Sequence, residues 1–348
     1  MGEMRIVLTS ILCQSGLMTH VHALARHLAT QGEYVAIAFK RTNYLDSSAQ
    51  QGILTTLGEV PYLIYGTAAE LRTFLLESGC TLVHAHSHAT FDDATQVSLA
   101  LDIPLVVTLH SVFPWQRRFR LTLQTARKII AVGPAHARSA RAFRGRMVII
   151  QNGIDTDFFR PNEELADKSD TVNVLWYGRV DGRLSRGLKV LDRLVPMLPS
   201  TINVTGLGIA HPPPRSFPML PWTDNPLPHL QKSHITFAHG RSLREAMSCG
   251  SIGMLLGYGY GGRVTEARLK GGLVLDAFPE YRLPRPRVHH LLHDILEIAD
   301  HSNLAGLRKE ARSIALENFD IKDMVDAVQA VYCDALARSC GGTSSLIS

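Results

Sequence analysis

Short apolar runs rich in β-branched residues alternate, along the first half of the chain, with stretches whose apolar positions recur every three to four residues. Residues 4–8, 34–39, 81–86, 103–108, 128–132 and 147–150 read as strands. Met18, Val21, Leu24, Ala25 and Leu28 fall on one helical face, and residues 71–78 and 134–143 carry helical patterns. Strands alternating with helices predict right-handed crossovers and a parallel sheet covered on both faces.

The pattern then breaks and restarts. Asn152-Gly153-Ile154-Asp155 is a turn signal, and the polar tract 161–170 reads as an interdomain linker. Beyond it, residues 172–177, 202–204, 252–256 and 273–275 read as strands, and 187–198 and 243–248 as helices. Three closing helices are expected at about 287–299, 302–317 and 321–338, and seven prolines make 211–228 an irregular loop. A chain of 348 residues exceeds one ordinary core. The expectation is an α/β protein with two Rossmann-like parallel-sheet domains, 1–160 and 161–320, and a terminal helix at 321–340 returning to the first. Ligands of such sheets bind beyond the carboxyl ends of strands, so the two domains predict a central cleft lined by post-strand loops.

Composition narrows the class. With 45% hydrophobic and 19% charged residues the chain is globular rather than disordered. The net charge of +5 suits an anionic ligand, and the absence of a long like-charge block argues against nucleic acid as a partner. Cys13, Cys80, Cys249, Cys333 and Cys340 are odd in number and widely spaced, which points to a reduced, cytoplasmic compartment and away from a cysteine zinc site. The apolar run at residues 6–13 is too short and lacks the flanks of a signal peptide, and no stretch is long and apolar enough to span a membrane.

Several post-strand loops carry candidate chemistry. Gly16 opens a helix after the first strand, where N–H groups suit a phosphate or a sugar. No G-x-G-x-x-G follows that strand, and no P-loop occurs anywhere. His84, His86 and His88 alternate, which on a strand places them on one face, either as a metal set or as cleft-lining groups. His110 follows a strand end. Gly178-Arg179, with Arg183, Arg186 and Lys189 soon after, reads as a diphosphate grip, the alternative being solvated surface charge. In the run Gly240-Arg241-Ser242-Leu243-Arg244-Glu245 a helix begins near Arg241 with N–H groups free to hold phosphate. Glu245, one turn in, suits a ribose diol or, more plainly, the helix dipole. Gly250 suits a left-handed cap, and the glycines of 257–262 allow a close backbone approach. The stretch 113–120 mixes aromatics and cations, as either a membrane-surface contact or an ordinary solvated helix start.

Taken in order, these segments resemble the retaining glycosyltransferases of family 4, which have the GT-B fold. The likeness rests on Gly16 with its helix, Val83-His84-Ala85-His86-Ser87, Val107-Thr108-Leu109-His110-Ser111 and Asn152-Gly153-Ile154-Asp155. It continues through Tyr177-Gly178-Arg179, Glu245-Ala246-Met247-Ser248-Cys249-Gly250 and the final helix ending Val331-Tyr332. The resemblance implies metal-independent transfer, without a cofactor, from a nucleoside-diphosphate sugar held mainly by the C-terminal domain to a hydroxyl-bearing acceptor on the N-terminal one. It implies that Glu245 holds the ribose, that Arg179 and Arg186 neutralise the diphosphate, and that Gly16 and His110 face the donor phosphate and sugar. Gly178, Gly240, Arg241, Ser242 and Leu243 complete the donor set, and His86 and His88 are acceptor-side candidates. Family members carry another Glu eight positions before the one matching Glu245. Here that position is Phe237, which marks a divergent branch. Two rivals stand beside this reading: a non-catalytic nucleotide-sugar-binding subunit, which Phe237 supports, and a sugar-nucleotide epimerase on the same fold.

Overall fold

The computed structural model describes residues 4–162, 171–180, 185–223, 225–276, 283–300 and 302–337. It divides into two compact units, Met1–Gly153 with Ile321–Ser348, and Ile154–Asp320.

The first unit runs β1 (Arg5–Ile11), α1 (Gly16–Thr30), β2 (Tyr34–Lys40), α2 (Ser47–Thr55), β3 (Tyr62–Tyr65), α3 (Ala68–Glu77) and β4 (Leu82–Ala85). It continues with α4 (Phe91–Leu101), β5 (Leu105–Leu109), α5 (Trp115–Arg118), α6 (Arg120–Thr125), β6 (Lys128–Ala131), α7 (Pro134–Ser139) and β7 (Met147–Ile149). The seven strands lie in the order β3-β2-β1-β4-β5-β6-β7, with every pair parallel. Successive side chains of a strand point to opposite faces. Ile6 and Leu8 therefore pack with Val21, Leu24 and Leu28 of α1, while Val7 packs with Leu71, Leu75 and Phe91 on the other side. Both faces are covered, which is why the strands read as continuous apolar runs.

The second unit runs β8 (Val172–Val180), α8 (Ser185–Leu194), β9 (Ile202–Ala210), β10 (Met219–Leu220), α9 (Leu227–Lys232), β11 (Ile235–Ala238) and α10 (Gly240–Ser248). There follow β12 (Ile252–Leu256), β13 (Tyr260–Arg263), α11 (Glu266–Lys270), α12 (Val288–Ala299) and α13 (Leu304–Phe319). Its strand order is β10-β9-β8-β11-β12-β13, parallel except for β13. The chain ends with α14 (Ile321–Ala337), whose Ile321, Val325, Val328 and Tyr332 join the core of the first unit beside α1.

Four expectations change. Residues 273–275 form no strand: their apolar pattern buries Leu275 in the core beneath α10 instead. Gly178 and Arg179 lie inside β8 rather than in a turn after it, because β8 stays paired with β9 through Val180 and Ala210. The glycines of 257–262 divide between a turn at Gly257 and Gly259 and strand β13, where Gly261 packs on Leu255. The proline-rich 211–228 segment contains β10 and the start of α9. The expected linker falls mostly at 163–170, and with Arg183 it lies outside the described residues.

Candidate functional site

In the second unit the candidate residues gather where β8 and β11 meet α10. Gly250, at φ 79°, ends α10 in a left-handed turn. Its N–H donates to Met247 O at 2.9 Å and that of Ser251 to Ala246 O at 3.0 Å, a paired closure that occupies the last carbonyls. At the other end of α10, His239 is the N-cap without a side-chain capping bond, and Gly240 takes φ 56°, a conformation that favours glycine. The first N–H groups of any helix lack intrahelical partners, and of the residues that carry them here Arg241 and Ser242 are partly exposed. Leu243 itself is fully buried.

Glu245 is the centre of this group. It is 6% exposed, accepts from Tyr177 Oη at 2.9 Å and from Arg241 Nε at 2.7 Å. Each carboxylate oxygen has a further lone pair to offer. Burial, followed by the neighbouring carboxylate, raises the Tyr177 phenol well above its ordinary range, so it remains a donor at all working pH values. Burial and then Glu245 push the Cys249 thiol up to about 12, which leaves it an inert packing group. A side chain built on Gly178 would point at Ser242 Oγ, 3.6 Å from its Cβ, which puts the end of β8 beside the tip of α10. Gly208, across from Gly178 in β9, has φ 125°, and a Cβ there would collide with the Gly178 carbonyl. Arg179 and Arg186 are exposed, the second on the first turn of α8.

Sequence reasoning missed three members of this group. Tyr177 looked like the last apolar residue of a strand. Asp276 lies at the tip of α10, where its Oδ1 is 3.3 Å from the position of a Cβ on Gly240 and 3.8 Å from Arg244 Nη2. Arg244 is itself buried, with its guanidinium over the Phe319 ring at 5.5 Å. Phe237 is fully buried in β11 and stacks on Tyr260.

In the first unit the candidates sit at the carboxyl ends of β1, β4 and β5. Gly16 is exposed at the start of α1, after the N-cap Ser15. The expected alternation of three histidines does not hold, because β4 ends at Ala85. His84 is structural: Nδ1 meets Tyr332 Oη at 2.6 Å and Nε2 meets Thr108 Oγ1 at 2.7 Å. His88 begins a short 3₁₀ turn and lies exposed at the edge of an aromatic group, stacked on Phe113 at 6.3 Å. His86 turns instead toward His110, with Nδ1 and Nε2 3.1 Å apart. His20 of α1, absent from the sequence-based candidates, joins them with its ring 4.7 Å from that of His110. Burial first, then the neighbouring imidazoles, holds His86 and His110 well below the ordinary histidine range, so both rings are neutral at pH 7.

One segment of this unit is strongly biased in charge. No carboxylate occurs between Asp102 and Asp155, whereas cations run from Arg117 to Arg146. Arg117, Arg118, Arg120 and Leu121 are exposed on α5 and α6. Arg146 Nη1 ties the segment before β7 to the end of α6 through the carbonyls of Gln124 and Ala126, at 2.6 and 3.1 Å. Among the described residues no helix is long and apolar enough to cross a membrane.

Comparison with known proteins places this geometry. Residues 14–158 match the family model described as Glycosyltransferase Family 4. No curated protein matches the chain in sequence. Among solved structures, that of Anabaena HepE in complex with UDP and glucose is similar at TM-score 0.73 and 13% identity, covering 95% of this chain and 100% of that one. A glycosyltransferase from Rickettsia africae gives 0.72 and 12%, covering 96% and 99%. The sucrose-phosphate synthase of Thermosynechococcus elongatus gives 0.64 and 16%, covering 97% and 100%. The chain has the GT-B fold, built of two Rossmann-like parallel α/β sheets.

Proposed function

We propose, from the match of residues 14–158 to the family model described as Glycosyltransferase Family 4, that the chain moves a sugar from a nucleoside-diphosphate sugar to an acceptor hydroxyl with retention at the anomeric carbon. The observation that carries this reading is the Glu245 carboxylate, buried at the tip of α10 and oriented by Tyr177 and Arg241. Held in this way it can accept both hydroxyls of a ribose without first paying the entropy of being positioned.

The diphosphate is assigned to the exposed guanidinium groups of Arg179 and Arg186 and to the first N–H groups of α10, with Gly178 and Gly240 giving it room beside the backbone. These groups stabilise the charge that develops on the leaving phosphate as the glycosidic bond breaks. The acceptor hydroxyl attacks from the same face, and its proton passes to the departing phosphate oxygen, so no protein nucleophile is assigned. Asp276, at the same helix tip, is the carboxylate placed to take sugar hydroxyls where Phe237 is buried in the core and offers none. Gly16 and His110 of the first unit are assigned to the donor phosphate and the transferred sugar, and His86 and His88 to the acceptor. The acid-free segment bearing the exposed Arg117, Arg118 and Arg120 supports an acceptor presented at an anionic membrane surface.

UDP-glucose is the first donor to test, because the HepE structure holds UDP and glucose. Thermal unfolding with UDP, GDP and ADP at millimolar concentration should show stabilisation by one of them, since a ligand of the folded form raises stability by mass action. Arg179→Ala and Glu245→Gln should each diminish that shift and depress transfer at least tenfold. Unaltered binding and turnover in both variants would remove the assignment. Phe237 favours one rival, a binding subunit without turnover. Tight nucleotide-sugar binding with neither transfer nor hydrolysis, across a panel of acceptors, would select it.

A further inference from the structure

The histidines at the edge of the first sheet have a geometry that the transfer reaction does not require. His20 comes from the first turns of α1, His86 from the residue after β4 and His110 from the residue after β5. One nitrogen from each lies within 4.8 Å of the other two, and no described carboxylate or thiol belongs to the group. Ring centroids are 4.7 Å apart for His20 and His110, 5.3 Å for His20 and His86, and 5.4 Å for His86 and His110. His20 and His86 are 5% and 2% exposed, and His110 opens partly to solvent.

Two imidazole nitrogens on one tetrahedral ion at about 2.0–2.1 Å stand about 3.4 Å apart. The His86–His110 pair, at 3.1 Å, needs to open by only a few tenths of an ångström. The third nitrogen needs to close by no more than about 1.4 Å from its present limit, which a rotation of the His20 ring can supply. Three neutral nitrogen donors suit a borderline ion of the zinc type and offer nothing to calcium or magnesium, which take oxygen ligands. Three protein ligands leave the fourth position open, here on the partly exposed His110 side.

We propose that His20, His86 and His110 bind one divalent ion of the zinc class with an open fourth coordination position. Binding of the ion follows from this cluster alone. A consequence that also rests on the proposed transfer is that a loaded ion takes His110 away from the sugar and His86 away from the acceptor and so inhibits.

The test uses the untagged full-length chain, freed of metal, with Zn2+ in a calorimetric titration and Co2+ as a visible-absorption probe. The expected result is one ion per chain, with the intense d–d bands of four-coordinate cobalt and no thiolate-to-cobalt charge-transfer band. His20→Ala, His86→Ala and His110→Ala should each weaken binding at least tenfold, while His293→Ala, on the exposed face of α12, leaves it unchanged. Circular dichroism and metal-free thermal midpoints establish that each variant is folded. His86→Gln, which removes the ligand but keeps a polar side chain, repeats the test if the alanine variant unfolds. Octahedral cobalt spectra, a thiolate band, or undiminished affinity in folded His86 and His20 variants would overturn the proposal. Loss of transfer activity in any variant has no bearing on it, so the metal site and the transferase reading fail separately.

Discussion

Acidification from pH 7 to pH 5 should selectively weaken the first unit through His84. Both of its ring nitrogens are used, one by Tyr332 of α14 and the other by Thr108 of β5, and the residue is fully buried. Burial, and next the neighbouring His110, lowers its pKa from 6.5 to about 3. The unfolded chain therefore binds a proton between these values that the folded chain refuses, and stability falls as the pH drops below about 6.5. At pH 5 the difference amounts to about 2 kcal/mol from this one group, with a limit near 5 kcal/mol approached at pH 3. His86 and His110 act in the same direction. A His84→Asn chain isolates the contribution, because a neutral amide keeps polar contacts but does not titrate. Urea unfolding followed by the fluorescence of buried Trp115, with Trp176 and Trp222 replaced by Phe, reports the first unit alone. The natural residue should lose about 2 kcal/mol more than Asn between pH 7 and 5. Equal losses in the two chains would refute the assignment of a buried, neutral His84.

Tyr177→Phe removes a hydrogen bond to a buried carboxylate and should raise the KM for the nucleotide sugar several-fold, an effect of about 1–2 kcal/mol. An unchanged KM would show that Glu245 needs no such support. Gly250→Ala places a side chain at φ 79° and should lower stability by about 1 kcal/mol, read as a decrease in the denaturation midpoint of the second unit. Under native conditions at pH 8, in a Cys340→Ser chain, exposed Cys333 should react with a thiol reagent, while Cys80 and Cys249, both pushed up to about 12 by burial, react only on unfolding. Rapid labelling of all thiols would contradict that burial. Vesicles containing anionic lipid should sediment the chain at low salt and release it at high salt. Replacing Arg117, Arg118 and Arg120 with Gln should abolish this, and salt-independent or absent sedimentation would end the membrane-surface reading.

What was legible in the sequence is what local pattern encodes. The buried runs of β1, β5 and β12, the helix carrying Glu245 and the left-handed closure at Gly250 all leave a signature within a few residues. β10 did not, because two residues cannot establish a period, and β3 and β11, of four residues each, also went unread. The apolar 273–275 segment read as a strand because burial beneath a helix and burial in a sheet select the same residue types. The site was legible at its anchors and obscure at its partners. Tyr177 and Glu245 are 68 positions apart, and His20 looks like a polar interruption of an amphipathic helix until β4 and β5 bring His86 and His110 beside it. Convergence of that kind is a property of topology, not of spacing.

The assignment of α14 to the first unit reverses the usual order of events during synthesis. The ribosome releases the second unit's last element, α13, before it releases Ile321, Val325, Val328 and Tyr332, which complete the first unit's core. The amino-terminal half must therefore wait, with the part of its core beside α1 that α14 fills left uncovered, until after its successor can close, although multidomain chains commonly fold from the amino terminus onward. A released chain ending at Asp320 should accordingly carry a protease-resistant second unit and a first unit that chaperones still recognise.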